Sequence, residues 1–415
     1  MTLTDIGLTR HPSADLVAID GVVPDRVIRP DSPYDLATLL CEASDQDWSI
    51  HPIGSGLHQR FGRTPERVDV AVSTLGLSGI LRYDPEDLVV SVAAGTTLAE
   101  LQGELSTHGQ WLPVEAPGGS SATVGGMLAL GLIGPRQLGS LSVRDLLLGM
   151  SVALTDGTVV KSGGMVVKNV TGFDMGRLHV GARGTLGVIT SANFKVLPKP
   201  ETEATLLVRF QPGPVGLAEA FASFDRLRAG TLRPIAADVT IQPNSTELAV
   251  RFEGRMAAVR RQMDAASAVV AGDTVALFDP GEVQAWWVRH VEQLGFGDAE
   301  RTVLRLDSRP RAIGALAARI VNELDAANRT DCRIVVSPGL GLIWADLGEA
   351  SQPDAAGLLG SLRDQSAGVT ILGAPTAWKA DVTAMGGAEP RSVDLALRAQ
   401  FDPNQILNRG RFPID

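Results

Sequence analysis

The sequence predicts an α+β protein of two domains followed by a returning C-terminal segment, with boundaries at 1–204, 205–370 and 371–415. Three observations predict it. Helix and strand signals are intermixed over the first 200 residues, and after Pro200 strands alternate with long amphipathic helices. The third is glycine: 17 of the chain's 45 lie in the 79 residues from Gly109 to Gly187, interrupted by apolar segments such as 127–133 and 145–154. That pattern belongs to a folded core with many tight turns, although a loop-rich β domain would give the same excess.

The elements follow in order. Residues 31–43 read as a helix, with Asp31 or Ser32 as cap and Leu36, Leu39, Leu40 and Ala43 on one face. Residues 48–53 read as a strand running into Gly54-Ser55-Gly56, and 68–73 and 88–94 are further strands rich in β-branched residues. Thr97 and Glu100 form a capping-box pattern opening a helix to about His108. Asp156-Gly157 suggests a hairpin, and 187–200 a strand that ends at two prolines. Beyond it, strands 203–210, 234–241, 247–254 and 333–347 alternate with helices 216–230, 255–272, 282–295 and 311–329. This predicts an antiparallel sheet with helices on one face.

Composition bounds the function. Hydrophobic residues at 44% and charged residues at 20% fit a globular chain with a sizeable core. No stretch approaches the roughly 18 apolar residues of a membrane span, and the N-terminus has no secretion-signal pattern. Cys41 and Cys332 read as reduced thiols, which implies a cytoplasmic setting. An iron–sulfur cluster, which usually takes about four thiolates, would have to come from another chain. The net charge of −10 speaks against a nucleic-acid partner. An anionic cofactor would need local donors, such as backbone N–H groups at glycine turns.

Two loops offer such donors. The first, PIGSGLHQRFG (52–62), follows a strand, and its glycines permit positive φ and close approach to a phosphate; it also reads as a plain turn. The second, PGGSSATVGG (117–126), feeds a helix start with the Thr123 hydroxyl at its first turn. It reads equally as a helix cap with a close Gly-Gly crossing.

Together with residues 79–119, 122–149, 163–200 and DPNQILNRGRF (402–412), these loops resemble the vanillyl-alcohol-oxidase-type, or PCMH-type, FAD-binding domain over roughly residues 22–200. Within that family the resemblance is closest to the FAD-binding subunits of bacterial glycolate oxidase complexes. It implies a PCMH-type domain, an α+β cap and bound FAD. It implies that Gly54, Ser55, Gly56, Leu57 and His58 lie along the pyrophosphate loop. Pro117, Gly118, Thr123, Gly125 and Gly126 would line a second FAD loop. Gly134 and the stretch Ser140–Asp145, with Arg144, would continue along the ribityl side, unless Arg144 and Asp145 are a surface ion pair. Gly184, Gly187, Val188 and Ile189 would approach the adenine end.

The chain departs from the family at Arg183, where relatives carry Glu, and at Arg409, where the closing signature carries Pro. His58 lies in the loop that holds flavin covalently in some relatives, but the surrounding pattern differs, so non-covalent FAD is expected.

Catalytic relatives carry histidine metal motifs in the second domain, whereas this chain has six histidines and only His290 lies there. The matching segment, 337–342, has neither histidine nor acid. Trp286, Trp287, Arg289 and His290 read as a carboxylate-and-ring pocket, or as a core stripe of Trp287, Val291 and Leu294 beside solvated Arg289 and His290. Asn408, Arg411 and Lys379 are the remaining substrate-side candidates; Lys379 and Arg411 also read as surface charge.

The expected function is an FAD subunit of a glycolate- or D-lactate-oxidising complex, partnered by a catalytic FAD subunit and an iron–sulfur subunit that could bring it to a membrane. A self-sufficient FAD dehydrogenase or oxidase, and a scaffold without flavin, are the alternatives.

Overall fold

A computed structural model describes residues 9–10, 18–132, 134–139, 141–166, 174–294, 300–349, 362, 368–379 and 392–412. The chain divides into two compact units. The first combines Met1–Ile133, Leu141–Lys199 and Ala388–Asp415; the second combines Gly134–Ser140 with Pro200–Gly387.

In the first unit, β1 (Thr9–Arg10), β2 (Arg26–Arg29), β3 (Ile50–Ile53) and β4 (Val70–Ser73) form a sheet in the order β1-β2-β4-β3. Strands β2, β4 and β3 are parallel, so a crossover must join β2 to β3. Helix α1 (Pro33–Asp45) provides it. Ser32 Oγ accepts the Asp35 N–H at 3.1 Å, Pro33 suits the first turn, and Leu36, Leu39, Leu40 and Ala43 are buried. They pack with Ile50, Val70 and Val72, which leaves the loop after β3 at the carboxyl end of a parallel strand, where ligands of open α/β sheets bind.

A second sheet in this unit, antiparallel throughout, contains β5 (Ile80–Asp84), β6 (Val89–Ala93), β8 (Leu147–Ala153), β9 (Val159–Gly163) and β10 (Val188–Lys195), in the order β5-β6-β10-β8-β9. The short pair β7 (Gln110–Trp111) and β11 (Leu197–Pro198) lies apart from it. Helix α2 (Leu98–Ser106) opens on the expected reciprocal capping box of Thr97 and Glu100. Helices α3 (Val124–Leu130), α4 (Val143–Leu146) and α5 (Gly176–His179) are short. The expected hairpin joins β8 to β9, with Asp156 Oδ1 accepting the Thr158 N–H at 2.9 Å and Gly157 at φ +85°.

The second unit is one antiparallel sheet of eight strands: β12 (Thr202–Phe210), β13 (Ala236–Gln242), β14 (Ser245–Gly254), β15 (Asp273–Leu277), β16 (Val303–Asp307), β17 (Arg333–Ser337), β18 (Leu342–Asp346) and β19 (Gly368–Gly373). Their order is β15-β12-β14-β13-β17-β18-β16-β19. Residues 333–347, expected as one strand, are the hairpin β17–β18. Gly341 turns it at φ +71°, where a Cβ would fall 2.1 Å from Ser308 O. Helices α6 (Gly213–Ala229), α7 (Met256–Val269) and α9 (Ile313–Ala326) pack against Leu206, Val208, Val250 and Leu306. Helix α8 (Pro280–Glu292) does not join them. Val283 and Trp287 pack on Leu207 and Ala249, whose side chains alternate to the opposite face, so helices cover both faces rather than one.

The boundaries also differ from expectation. Strand β12 starts at Thr202, so the second unit begins at Pro200 rather than 205. Strand β19 and helix α10 (Thr376–Lys379) still belong to the second unit, past the boundary expected at 371. Helix α11 (Ser392–Phe401) leads back into the first unit. Asp402 accepts the Ile406 and Leu407 N–H groups at 3.0 and 2.9 Å; Ile50 N then donates to Ile406 O and Asn408 N to Ile50 O, both at 2.8 Å. Residues 406–408 thus lie alongside β3, next to the first glycine loop.

Candidate cofactor site

The two glycine loops meet inside the first unit. Ser55 Oγ donates to Ser121 O, and His58 Nε2 lies 3.1 Å from Pro117 O. Gly54 faces Thr123 so closely that a Cβ would sit 2.2 Å from Thr123 Oγ1. That hydroxyl is engaged as an N-cap, accepting the Gly126 N–H at 3.2 Å. Gly125 N donates to Ala94 O at 2.7 Å, and a Cβ at Gly125 would lie 2.9 Å from Ala94 Cβ. The Gly-Gly crossing and the helix cap, read from the sequence as one alternative for the second loop, are therefore both present, and they pull α3 against β6.

Between the loops lies a groove with about 1000 Å³ of free space, its open mouth included. Gly54, Ser55, Gly56, Leu57 and His58 line one side, and Thr123, Gly125 and Gly126 another. Gly184, Gly187, Val188, Ile189, Asn408 and Arg411 complete the expected residues found there. Pro117 and Gly118 stand just behind, and a Cβ on Gly118 would lie 3.0 Å from Leu57 Cδ1.

Other candidates lie elsewhere. Gly134 opens a 3₁₀ turn grouped with the second unit, and Lys379 is buried in that unit. Arg144 donates to Val180 O at 3.0 Å, while Asp145 caps its own helix through Ser142; each is exposed, and each has a local task. Ser140 falls outside the described residues.

The returning segment shapes the far wall. Asn408, at φ +49°, donates through Nδ2 to Arg183 O at 2.9 Å and Gly184 O at 3.4 Å. Arg183 adopts φ +58°, and its guanidinium sits 4.9 and 5.2 Å from the ring centroids of Phe61 and Phe412. The departure from Glu at this position thus supplies a cation held on aromatic faces. Arg411, expected as a clamp or a surface charge, is buried and donates to Gln59 O at 2.7 Å and to Phe61 O. The wall also contains His51 and His179, residues the sequence reading passed over. A histidine within the apolar run of a strand, directly ahead of a glycine loop, was the one available signal for His51.

Electrostatically the groove differs from the chain. Net charge overall is −10, yet none of the described residues lining the groove is acidic, and Arg183 and Arg411 are cationic. Burial holds the histidines neutral. It pulls His51 down to about 3, with help from the Arg411 charge, and His58 and His179 to about 4. The Arg411 guanidinium is lowered to about 10 by the same desolvation and stays charged.

The sheet-and-loop geometry agrees with the comparisons. Residues 24–163 match the family described as "FAD binding domain". Residues 24–163 are an FAD-binding domain. The chain is 37% identical over 229 residues to the glycolate oxidase subunit GlcE of Escherichia coli, a match covering 55% of this chain and 60% of that one. It is 30% identical over 184 residues to a D-lactate dehydrogenase of Archaeoglobus fulgidus, covering 44% and 41%. The chain thus spans less than two thirds of either relative. Among solved structures, "Physcomitrella patens BBE-like 1 wild-type" superposes with a TM-score of 0.71 at 16% identity, covering 100% of this chain and 98% of that one. That likeness supports the expected PCMH-type α+β fold. The glycine backbones, the acid-free lining and the charged Arg411 fit FAD: an FAD-binding domain must leave room for a dinucleotide and offset its pyrophosphate charge.

In the second unit His290 is buried, which corrects the expectation that it is solvated beside Arg289. Its ring stacks on Trp286 at 4.9 Å, and Nε2 lies 2.8 Å from Asp238, which also accepts the Ser337 hydroxyl at 2.5 Å. Arg333 Nη2 approaches Nδ1 at 3.4 Å. Arg333 can only donate, so Nδ1 accepts and Nε2 carries the proton toward Asp238. Trp287, Val291 and Leu294 form the expected core stripe, and Arg289 is exposed. Among the described residues no group of three or more His, Cys, Asp or Glu is arranged to hold a metal, and no helix is long and apolar enough to cross a membrane.

Proposed function

We propose that this chain is an FAD-dependent oxidoreductase subunit in the oxidation of a small 2-hydroxy acid, glycolate or D-lactate. It would act beside a catalytic FAD subunit and an iron–sulfur subunit. The observation that carries the reading is the closure of loops 54–58 and 117–126 into one acid-free groove, in a chain related to glycolate oxidase subunits and D-lactate dehydrogenases.

In this reading Gly54–His58, Pro117, Gly118, Thr123, Gly125 and Gly126 hold the dinucleotide. Gly184, Gly187, Val188 and Ile189 approach it through backbone, and Asn408 fixes the turn at 183–184. FAD supplies two-electron acceptance and one-electron release. The protein's own residues bind it, orient it and screen it from water. His290, the second unit's one histidine by sequence, is spent on Asp238, Trp286 and Arg333, which favours a relay role over a complete hydroxy-acid site in this chain. His58 Nε2 is committed to Pro117 O, which favours non-covalent FAD.

The test is to purify the chain, record its visible spectrum and add glycolate or D-lactate anaerobically. A yellow protein that is inert alone and bleached once the partner subunits are present supports the relay. Bleaching without partners replaces it with a self-sufficient dehydrogenase, and failure to take up FAD ends the reading. Acid precipitation should release the flavin to the supernatant; a yellow pellet would reveal covalent attachment.

A further inference from the structure

Among the described residues, His51, Arg333 and Arg411 carry a buried side-chain nitrogen with no hydrogen-bond partner. Two of these three, His51 and Arg411, line the groove between the glycine loops. Both ring nitrogens of His51 are unpartnered, and its side chain is 2% exposed. Arg411 is 3% exposed; its Nη2 is spent on the carbonyls of Gln59 and Phe61, while its Nη1 has no partner. Leaving buried donors unmet is costly, and a buried guanidinium more so than a neutral ring. Asp20 acts on Arg411 electrostatically but does not bond Nη1.

We propose that Arg411 and His51 form an anion subsite in the groove wall that takes phosphate oxygens of the bound dinucleotide. The inference rests on the FAD reading above and adds two side chains to a site otherwise made of backbone and glycine. The chemistry selects the phosphates. FAD carries its negative charge on the pyrophosphate alone, and an arginine with a free N–H beside a neutral imidazole complements an anion rather than a ring edge. Neutrality of His51 matters as well, since a second cation beside Arg411 would be repelled by it.

The test separates the two ends of the cofactor. Apoprotein is titrated with FAD, FMN and riboflavin by quenching of flavin fluorescence, for the parent, His51→Leu and Arg411→Lys. His51→Leu should weaken FAD by roughly tenfold or more, as expected for one hydrogen bond to a charged group. Riboflavin, which has no phosphate, should bind it as it binds the parent. Its apoprotein should melt no lower than the parent, because two unpartnered nitrogens have been removed. Arg411→Lys keeps the charge but loses the fork, and should also weaken FAD more than riboflavin. Equal losses for riboflavin and FAD, or unchanged FAD affinity in both variants, would overturn the subsite while leaving the FAD reading intact. A parent protein that binds none of the three flavins would overturn both.

Discussion

Replacing Gly54 by alanine tests the meeting of the two loops directly. The new Cβ would sit 2.2 Å from Thr123 Oγ1 and 3.1 Å from its Cγ2, so about an ångström of clearance must be found. Gly54 is not among the residues with positive φ, so the substitution carries no backbone strain, and the whole effect is this contact. One escape rotates Thr123 and gives up its bond from Gly126 N, a cap worth about 1 kcal/mol. The other moves loop 54–56 away from Ser121, with an overpacking cost of about 1–3 kcal/mol. Gly54→Ala should therefore destabilise the apoprotein by roughly 1–3 kcal/mol and weaken FAD as the groove wall shifts. Thr123→Ala alone should cost about 1 kcal/mol for the lost cap, yet it clears the space the new methyl needs. Denaturant melts of the parent, both single variants and the double variant close the cycle. The double variant should be more stable than the sum of the singles by about 1–2 kcal/mol. Additivity within about 0.5 kcal/mol would refute the contact.

Gly125→Ala should cost about 1–3 kcal/mol, because the clash includes the Ala94 carbonyl at 3.1 Å and backbone yields little; Gly126→Ala, whose nearest neighbour is Thr123 Oγ1 at 3.0 Å, should cost less. Apoprotein stability should fall as pH drops from 6.5 toward 4, checked by melts across that range. His51, His58 and His179 stay neutral when folded, while the unfolded chain takes up protons near 6.5, so the folded state loses ground as pH decreases. At pH 4.5 the fully buried His51 alone should account for about 2–3 kcal/mol; a flat profile over this window would refute the burial argument. In the second unit, Arg136 is 3% exposed and joins Glu203 at 3.2 Å and Glu253. Arg136→Ala should cost about 2–3 kcal/mol, below the 3–5 of a fully buried pair because both glutamates stay partly wet. Denaturant melts of the variant check it, and a loss under about 0.5 kcal/mol would show that the pair contributes nothing.

Elements whose causes are local were legible in the residues alone. Ser32 and Thr97 announce their helices through side-chain caps, Asp156-Gly157 its hairpin, and the loop at Gly54-Ser55-Gly56 its turn. Those signals need only a few neighbouring residues, so they were legible without a fold. The order of the glycine motifs likewise marked the FAD-binding domain. Other features depend on residues far apart in the chain and emerge only in the folded protein. That α8 covers the opposite face of the eight-stranded sheet follows from Leu207 and Ala249 being apolar on that face while Leu206 and Val250 are apolar on the other. That His290 is buried follows from Asp238 and Arg333 converging on it from two strands. Arg411 reads from the sequence as either a clamp or a surface charge because its partners, the carbonyls of Gln59 and Phe61, lie some 350 positions earlier. Backbone carbonyls carry no sequence signature. Nor does the pairing of Gly54 with Thr123, where each residue alone reads as an ordinary turn or cap, and only their 2.2 Å approach makes them one wall of a site.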